Sequence, residues 1–387
     1  MQTTRWLFLR FTEIVRSRDS VRSLKNPVEG ESKKVSKTRT PTSANKSRVS
    51  NEAPKRRTNS NPREEENKNK ATWAENANKL ECRAISKEFN DKIKRYIPPN
   101  STAEICAKFD EKNRYNDVLC LDATRVVLKG KKEGDDYIHA NWITIPDGAK
   151  YICTQGPLAD TIEDFWHMCM TEKASIILML CNFFEGGDNE KCAVYFPTGK
   201  DKDGNGSDTQ EFGAFTVTKV KNLDHLSSVD GITITALEVT KKGEEKVYKV
   251  KHVLMTSWPD QLAPLEAAPV LSLWRWVKKY NKDKPVVVHC SAGVGRTSTF
   301  VGFELANHLI SGDPTLNLME VIKILRSMRY QSIQSHVQFL YLHVLLMEYF
   351  VQMKNAAKKD KEKEKDDKQA DVSVKGRKLE ALVNDAV

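Results

Sequence analysis

The stretch from Val286 to Ser298, which reads VVVHCSAGVGRTS, constrains the fold more than any other part of this 387-residue chain. Its β-branched run predicts a short buried strand, and Thr297 with Ser298 favours a helix start just after the loop. The small residues between strand and helix let backbone N–H groups converge on one point as an anion-binding nest. A strand, a tight loop and a helix N-terminus in this order predict a phosphate-binding cradle.

The cradle carries a thiol and a guanidinium. Cys290 follows the strand directly, and the positive environment of the loop and the helix N-terminus favours its thiolate form. Arg296 supplies a planar fork for two phosphate oxygens. A thiolate at the floor of a phosphate site is a nucleophile aimed at phosphorus, so the stretch predicts covalent catalysis at a phosphate ester.

Charge is concentrated at the ends of the chain, whose formal net charge is +10. Residues 1–80 hold 19 Lys and Arg against nine Asp and Glu, whereas residues 354–387 hold ten against eight. We therefore predict a basic, disordered segment over 1–72, a catalytic domain over 73–353 and a charged tail over 354–387. The basic segment could contact an anionic surface such as nucleic acid or a membrane, but no nucleic-acid binding is predicted for the domain.

The eight cysteines are not arranged as metal ligands or as a disulfide framework, since none forms a CxxC pair. Unpaired buried thiols are typical of a reducing compartment, so we expect the cytoplasm, with the nucleus as the alternative.

No apolar run reaches the length that a membrane-spanning helix needs. We expect a monomer that holds no metal.

The periodicity of apolar residues predicts strands in the middle of the chain and helices at both ends. Strand-like runs lie at 123–128, 137–143, 175–180, 191–196, 212–220, 232–239, 246–255 and 286–289. Helical spacing lies at 73–97, 165–171, 266–280, 295–310, 316–326 and 337–353. This order predicts an α/β domain with one mixed sheet flanked by helices.

The segment from His289 to Thr297 resembles the signature loop of the phosphotyrosine-specific protein phosphatases. The resemblance extends over about residues 80–350 through several separated motifs. It implies a single, highly twisted mixed sheet with the cysteine loop between a strand and a helix. The arrangement of one domain with short tails is similar to the small nonreceptor members of the family, of which nematodes carry an expanded set.

A second motif, Trp258-Pro259-Asp260, resembles the loop that carries the proton donor in this family. The resemblance implies that Asp260 is the general acid for the leaving tyrosine oxygen and then the base for the attacking water. Trp258 and Pro259 would support a closing flap. Leu262 stands where the family normally has glycine, a departure that bears on the mobility of the flap and on the turnover rate.

The string KNRYND at 112–117 resembles the family's phosphotyrosine-recognition loop. Tyr115 would stack on the substrate ring and make the pocket deep, so that the shorter phosphoserine does not reach the thiolate. Asp117 would accept backbone N–H groups of the substrate peptide. The cradle amides that would bind the phosphate dianion belong to Ser291, Ala292, Gly293, Val294, Gly295 and Arg296.

The string IQSHVQ at 333–338 resembles the family's glutamine loop. Gln334 would position the water that hydrolyses the cysteinyl-phosphate, and Gln338 would make a second contact. Thr297 would help the thiolate to leave by hydrogen bonding, and His289 would tune the cradle from the strand-to-loop turn. Gln331 stands where many relatives carry a small residue and would narrow access for bulky substrates.

Three further residues match supporting positions of the family. Glu185, in an acidic loop about one residue longer than the commonest form, would brace Arg296. Lys191 would hold the Asp260 flap, and Arg326 matches a basic position just before the glutamine loop.

The resemblance implies hydrolysis of phosphotyrosine in proteins without a metal or another cofactor, because the cradle supplies the charge that Mg²⁺ supplies elsewhere. Two alternatives stay open. One is a phosphotyrosine-binding domain with weak or no turnover, for which Leu262 and Gln331 argue. The other is a cysteine phosphatase of broader scope that acts on phosphoserine, phosphothreonine or phosphoinositides.

Overall fold

A computed structural model describes residues 61–199, 207–226 and 228–384. The helices, α1 to α7 in chain order, are Pro62–Ala77, Cys82–Glu88, Ile162–Thr171, Ala268–Tyr280, Arg296–Gly312, Leu318–Met328 and His336–Asn384. The strands, β1 to β9, are Arg125–Val127, Tyr137–Thr144, Lys150–Thr154, Ile176–Met179, Thr209–Phe212, Phe215–Asn222, Ile232–Lys241, Tyr248–Met255 and Val286–His289.

One mixed sheet of nine strands runs through the domain in the order β1-β2-β3-β9-β4-β8-β7-β6-β5. The pairs β3–β9, β9–β4 and β4–β8 are parallel, and the outer pairs are antiparallel. Strand β9 therefore lies in the centre of the sheet, and its four residues are buried. Burial on both faces is why this strand is a continuous run of valines rather than an alternating pattern.

Helix α5 follows the loop after β9 and packs against β3 and β9. Helices α1 and α7 pack against α5, and α6 contacts both α5 and β2. The N-terminus of α5 is thereby fixed above the carboxyl end of the central strand. The predicted α/β class and the mixed sheet with flanking helices are confirmed.

The predicted N-terminal boundary at residue 72 is wrong in its last part, because Pro62–Ala77 forms α1. Asn61 caps this helix by accepting the amide of Arg63, and a proline at the first helical position suits the turn. Trp73 is buried, and its indole donates to the carbonyl of Leu316 at 2.9 Å. Residues 62–72 of this helix were not predicted from the sequence because few of them are apolar. Residues 1–60 lie outside the described part of the chain.

Two predicted elements differ from the structure, and two observed strands were not predicted. Residues 191–196 are irregular rather than a strand, because Ala193 donates its amide to the carbonyl of Pro157 and not to a neighbouring strand. Strands β3 and β5, of five and four residues, were not predicted. The predicted helix over 73–97 is instead the end of α1, then α2 and a π-helical turn at Phe89–Ile93.

Two further observations concern the whole described region. No helix within residues 61–199, 207–226 and 228–384 is long and apolar enough to cross a membrane. All eight cysteines are buried and free.

Candidate active site

The loop between β9 and α5 holds Cys290 at its start. Cys290 is 3 % exposed, and the amide of Gly293 donates to its Sγ atom at 3.3 Å. Gly293 has a φ of 70°, and a Cβ atom there would overlap the carbonyl of Thr154. Only glycine satisfies both conditions, so the tight turn that brings an amide over the thiol depends on this residue.

Arg329 holds the same loop from behind. This buried side chain donates to the carbonyls of Ala292 and Gly293 at 3.1 and 3.2 Å. Because the N–H and C=O of a trans peptide point in opposite directions, these bonds turn the amides of Gly293 and Val294 away from Arg329 and towards the thiol side. Sequence reasoning missed this role of Arg329, because its partners lie far from it in sequence and two of them are backbone carbonyls.

Arg296 is the first residue of α5 and is almost completely buried. Its guanidinium binds both carboxylate oxygens of Glu185, at 2.6 and 3.0 Å. It also donates to the carbonyl of Trp258 at 3.0 Å and to Asp260 at 3.2 Å. Burial alone would lower the pKa of Arg296, but the hydrogen bonds with Glu185 and the electrostatic effects of Cys290, Cys181 and Glu185 together raise the pKa above its usual range.

The loop that carries Asp260 lies over the cleft. Besides its contact with Arg296, the Asp260 carboxylate binds the Lys191 ammonium at 2.9 Å and remains about one-third exposed. Trp258 is buried, and its indole donates to the carbonyl of Leu262 at 3.2 Å. Leu262 is buried, and the left-handed backbone of this loop falls one residue earlier, on Gln261, with a φ of 55°.

Tyr115 forms one wall of the cleft. It is half-buried, its hydroxyl lies 2.9 Å from the Ser291 Oγ atom, and Val118 packs behind it against Ala292 and Val294. Asp117 is exposed at the rim. The cleft has a volume of about 290 Å³. Its walls bring together Tyr115, Asp117, Val118, Asn189, Lys191, Asp260, Gln261, Cys290, Ser291, Ala292, Gly295, Arg296, Gln334 and Gln338.

The two predicted glutamines lie together over the loop. A Cβ atom at Gly295 would lie 2.9 Å from the Oε1 atom of Gln334 and 2.8 Å from the Nε2 atom of Gln338. The Gln338 side chain accepts the backbone amide of Gln334 at 3.1 Å. The absence of a side chain at Gly295 is therefore what lets both amides reach the cleft.

His289 contacts the backbone of Cys290 rather than its thiol. Its Nδ1 atom lies 3.2 Å from the Cys290 carbonyl, and its Nε2 atom lies 2.7 Å from the hydroxyl of Tyr195, which also contacts His252. Since a carbonyl only accepts, Nδ1 carries the proton and Nε2 accepts from Tyr195. Burial lowers the pKa of His289 to about 4, so the ring is neutral at physiological pH.

Within the described part of the chain, two other predicted residues make no hydrogen bond to the Cys290 sulfur or to the Asp260 carboxylate. Among the described residues, the buried hydroxyl of Thr297 has no hydrogen-bond partner, so the structure does not form the predicted bond to the thiolate. Arg326 is buried, and it donates to the carbonyls of Ile93, Tyr96, Ser332 and Ile333. It therefore joins the N-terminal region to the glutamine loop and does not enter the cleft.

Ser335 is a residue of this region that sequence reasoning did not single out. Its hydroxyl donates to the carbonyl of Gln261 at 2.9 Å and accepts the amide of Gln338 at 3.2 Å. The pattern Ser-x-x-Gln at the start of α7 is a helix-capping signal that could have drawn attention to it.

In the part of the chain that the structure describes, no group of three or more His, Cys, Asp or Glu residues is placed to hold a metal ion.

Comparisons with known proteins agree with this geometry. A sequence model of the protein-tyrosine phosphatase family matches residues 109–348. The rat tyrosine-protein phosphatase non-receptor type 20 is 34 % identical over 270 residues, which cover 68 % of this chain and 60 % of the relative. The human non-receptor type 9 enzyme is 36 % identical over 263 residues, which cover 62 % of this chain and 42 % of the relative. The chain thus spans about half the length of these two relatives.

A solved structure has the same fold. It comes from work on the structural basis of the PTPN18 fingerprint on distinct HER2 tyrosine phosphorylation sites. The TM-score is 0.58 at 26 % sequence identity, and the match covers 73 % of this chain and 94 % of that one. Together with the match of the family model to more than half of the sequence, this shows that the chain belongs to the protein-tyrosine phosphatase family.

Proposed function

We propose that this protein hydrolyses phosphotyrosine in proteins through a cysteinyl-phosphate intermediate. One observation carries the proposal: a buried thiol, a guanidinium and a carboxylate, from Cys290, Arg296 and Asp260, line one cleft of about 290 Å³. These are the nucleophile, the phosphate ligand and the proton donor that transfer of an aryl phosphate to sulfur requires.

In the first step the Cys290 thiolate attacks phosphorus. A bond forms between sulfur and phosphorus while the bond between phosphorus and the tyrosine oxygen breaks, and protonated Asp260 gives its proton to that oxygen. Arg296 and the amides of the loop hold the equatorial phosphate oxygens, whose charge they stabilise without reorganising. The amide of Gly293, 3.3 Å from the thiol sulfur, supports this role.

In the second step water attacks the cysteinyl-phosphate on the side that the tyrosine has left. Gln334, with Gln338 bound to its backbone, is suited to orient that water, and the Asp260 carboxylate accepts its proton. The sulfur–phosphorus bond then breaks, which regenerates the thiolate and releases inorganic phosphate. His289 supports the strand-to-loop turn as a neutral ring.

Substrate choice follows from the depth of the cleft. The Tyr115 ring stands beside the loop, with its hydroxyl bound to Ser291, so it offers a flat wall to an aromatic ring. A phosphoserine side chain is too short to bring its phosphorus to the buried thiol past that wall. Exposed Asp117 is available at the rim for backbone amides of the peptide.

The test compares the wild type with the Cys290→Ser and Asp260→Ala variants on one tyrosyl phosphopeptide and its seryl counterpart. We expect the wild type to release phosphate from the tyrosyl peptide alone, and both variants to bind that peptide without releasing phosphate at a measurable rate. Saturable binding by the wild type without phosphate release would establish a binding domain instead. Equal rates on the two peptides would establish a phosphatase of broader scope.

We further propose that the partners are phosphotyrosine-containing proteins, that the protein acts as a monomer, and that it is cytoplasmic. The eight free cysteines support a reducing compartment. The three-part organisation also remains a proposal, with the start of the catalytic domain moved to α1. Size-exclusion chromatography and fractionation of cells test these points.

A further inference from the structure

Ser335 connects two elements of the cleft that are far apart in sequence. It directly precedes α7, and its Oγ atom accepts the amide of Gln338 at 3.2 Å, which caps the helix. The same hydroxyl donates its proton to the carbonyl of Gln261 at 2.9 Å. A hydroxyl has one proton to donate, so the bond to Gln261 is the one donor bond that this side chain can make.

The carbonyl that receives this bond lies next to the proton donor. Gln261 follows Asp260 directly and has a φ of 55°, a left-handed conformation that is strained for a residue other than glycine. A strained residue persists only where its surroundings fix it. The hydroxyl of Ser335 and the buried side chain of Leu262 fix this part of the loop on either side of the strained peptide.

Ser335 is equally close to the glutamines. It follows Gln334, and the amide that it accepts belongs to Gln338, whose side chain binds the Gln334 backbone. One hydroxyl therefore joins the loop of the proton donor to the turn that would orient the attacking water.

We propose that Ser335 is a positioning residue that holds the Asp260 loop over the cleft, in register with the glutamines at the start of α7. This inference rests on the proposed function for its kinetic consequence, but not for its structural one. Without the hydroxyl, the loop lies over the cleft for a smaller fraction of the time, and proton transfer to the tyrosine oxygen is slowed.

The experiment compares Ser335→Ala with Ser335→Thr, which keeps the hydroxyl, and with Asn317→Ala as a matched control. Asn317 caps α6 by accepting the amide of Met319 at 2.9 Å and is not among the residues that line the cleft, so its loss tests helix capping alone. We expect Ser335→Ala to lower kcat/KM for a tyrosyl phosphopeptide about five- to tenfold, the effect of one hydrogen bond. Ser335→Thr and Asn317→Ala should stay within about twofold of the wild type.

Two readouts separate positioning from a general structural effect. With dinitrophenyl phosphate, whose leaving group departs without a proton, Ser335→Ala should change kcat/KM by less than about twofold. Hydrogen exchange of the backbone over 258–262 should be faster in Ser335→Ala than in Ser335→Thr. Equal losses on both substrates, or unchanged exchange, would overturn the inference. If the wild type hydrolyses no phosphotyrosine, the proposed function fails, and the exchange measurement still decides whether Ser335 holds the loop.

Discussion

Two buried arginines lie at the cysteine loop, and their partners differ in kind. Arg296 binds carboxylates of Glu185 and Asp260 on the cleft side. Among the described residues, Arg329 binds neutral acceptors alone, which are the carbonyls of Ala292 and Gly293 and the side chains of Asn141 and His139. The first arginine can exchange one anionic partner for another, whereas the second is fixed by groups that carry no charge.

The difference separates an arginine that is suited to bind the substrate from one that stabilises the folded loop. A phosphate dianion can replace Asp260 on Arg296 while Glu185 keeps the guanidinium in place, so the charge is ready for the substrate. Arg329 keeps the loop carbonyls turned back, which orients the amides that the substrate would meet. We expect a change at Arg296 to act mainly on turnover and a change at Arg329 mainly on stability.

The largest expected effect is that of Arg296→Lys. Lysine keeps a positive charge beside Glu185 but lacks the fork that binds two oxygens, so kcat/KM for a tyrosyl phosphopeptide should fall by about a thousandfold. The free energy of unfolding, measured in urea, should change much less. Activity within tenfold of the wild type would show that the fork is dispensable and would remove the contrast.

Arg329→Met tests the other side of the loop. The substitution leaves buried carbonyls of the loop without donors, so the free energy of unfolding should fall by about 3 kcal/mol. Urea titration measures this loss, and Arg329→Lys, which keeps a donor in the same place, should lose less. If Arg329→Met unfolds at the wild-type urea concentration, the loop does not depend on its rear support.

The pH dependence of stability tests the role of His139, one of the neutral partners of Arg329. Burial, and then the charge of Arg329, lower the pKa of His139 to about 3, and its Nε2 atom donates to the Val118 carbonyl. An unfolded histidine binds its proton near pH 6.5, so the folded state takes up fewer protons between about pH 6.5 and 3. Stability is therefore lost as the pH falls through this window, by about 2 kcal/mol at pH 5 for this one group.

The variant His139→Gln tests that assignment. Its amide can accept from Arg329 and donate to Val118 without titrating, so unfolding free energies at pH 7 and pH 5 should differ by less than they do in the wild type. His252, His289 and His343 are also buried with lowered pKa values and would keep part of the dependence. An unchanged difference between the two pH values would mean that His139 does not contribute.

The smallest expected effect concerns Gln331, two residues after Arg329. It has a φ of 57°, and within the described chain its buried Oε1 atom lacks a hydrogen-bond partner. Gln331→Gly removes the backbone strain and the unpaired side-chain oxygen, so we expect the free energy of unfolding to rise by about 1 kcal/mol. Gln331 is not among the residues that line the cleft, so kcat/KM for a small aryl phosphate should change by less than about twofold. A loss of stability would show that the side chain packs favourably where it lies.

The sequence predicts the cleft side of the loop far better than the rear. Cys290, Arg296, Asp260 and Gln334 each belong to a local string whose chemistry can be read, and the structure brings all four to one cleft. Arg329 could not be assigned in that way, because its partners are two backbone carbonyls and two side chains that lie far from it in sequence. These partners come together because β2 packs next to the cysteine loop, and no local sequence pattern encodes that contact.

Secondary structure shows the same division. The valine run of β9 is buried on both faces and was predicted with its ends correct. The first part of helix α1, residues 62–72, was missed because most of its residues are charged or polar, and the attachment of the helix depends on Trp73 and on the buried Lys70. The stretch 191–196 has the composition of a strand, but its amides bond to loops, so propensity gave the wrong result.

Strand β9 lies between two strands that are synthesised long before it, and this affects the order in which the sheet can form. Strands β3 and β4 leave the ribosome more than a hundred residues before Val286–His289, the strand that must lie between them. Until that late segment inserts, the two earlier strands have unpaired edges that face a gap, and contacts of such long sequence separation form slowly. The nucleophile is therefore assembled among the last parts of the fold, and an incomplete nascent chain carries no finished catalytic loop.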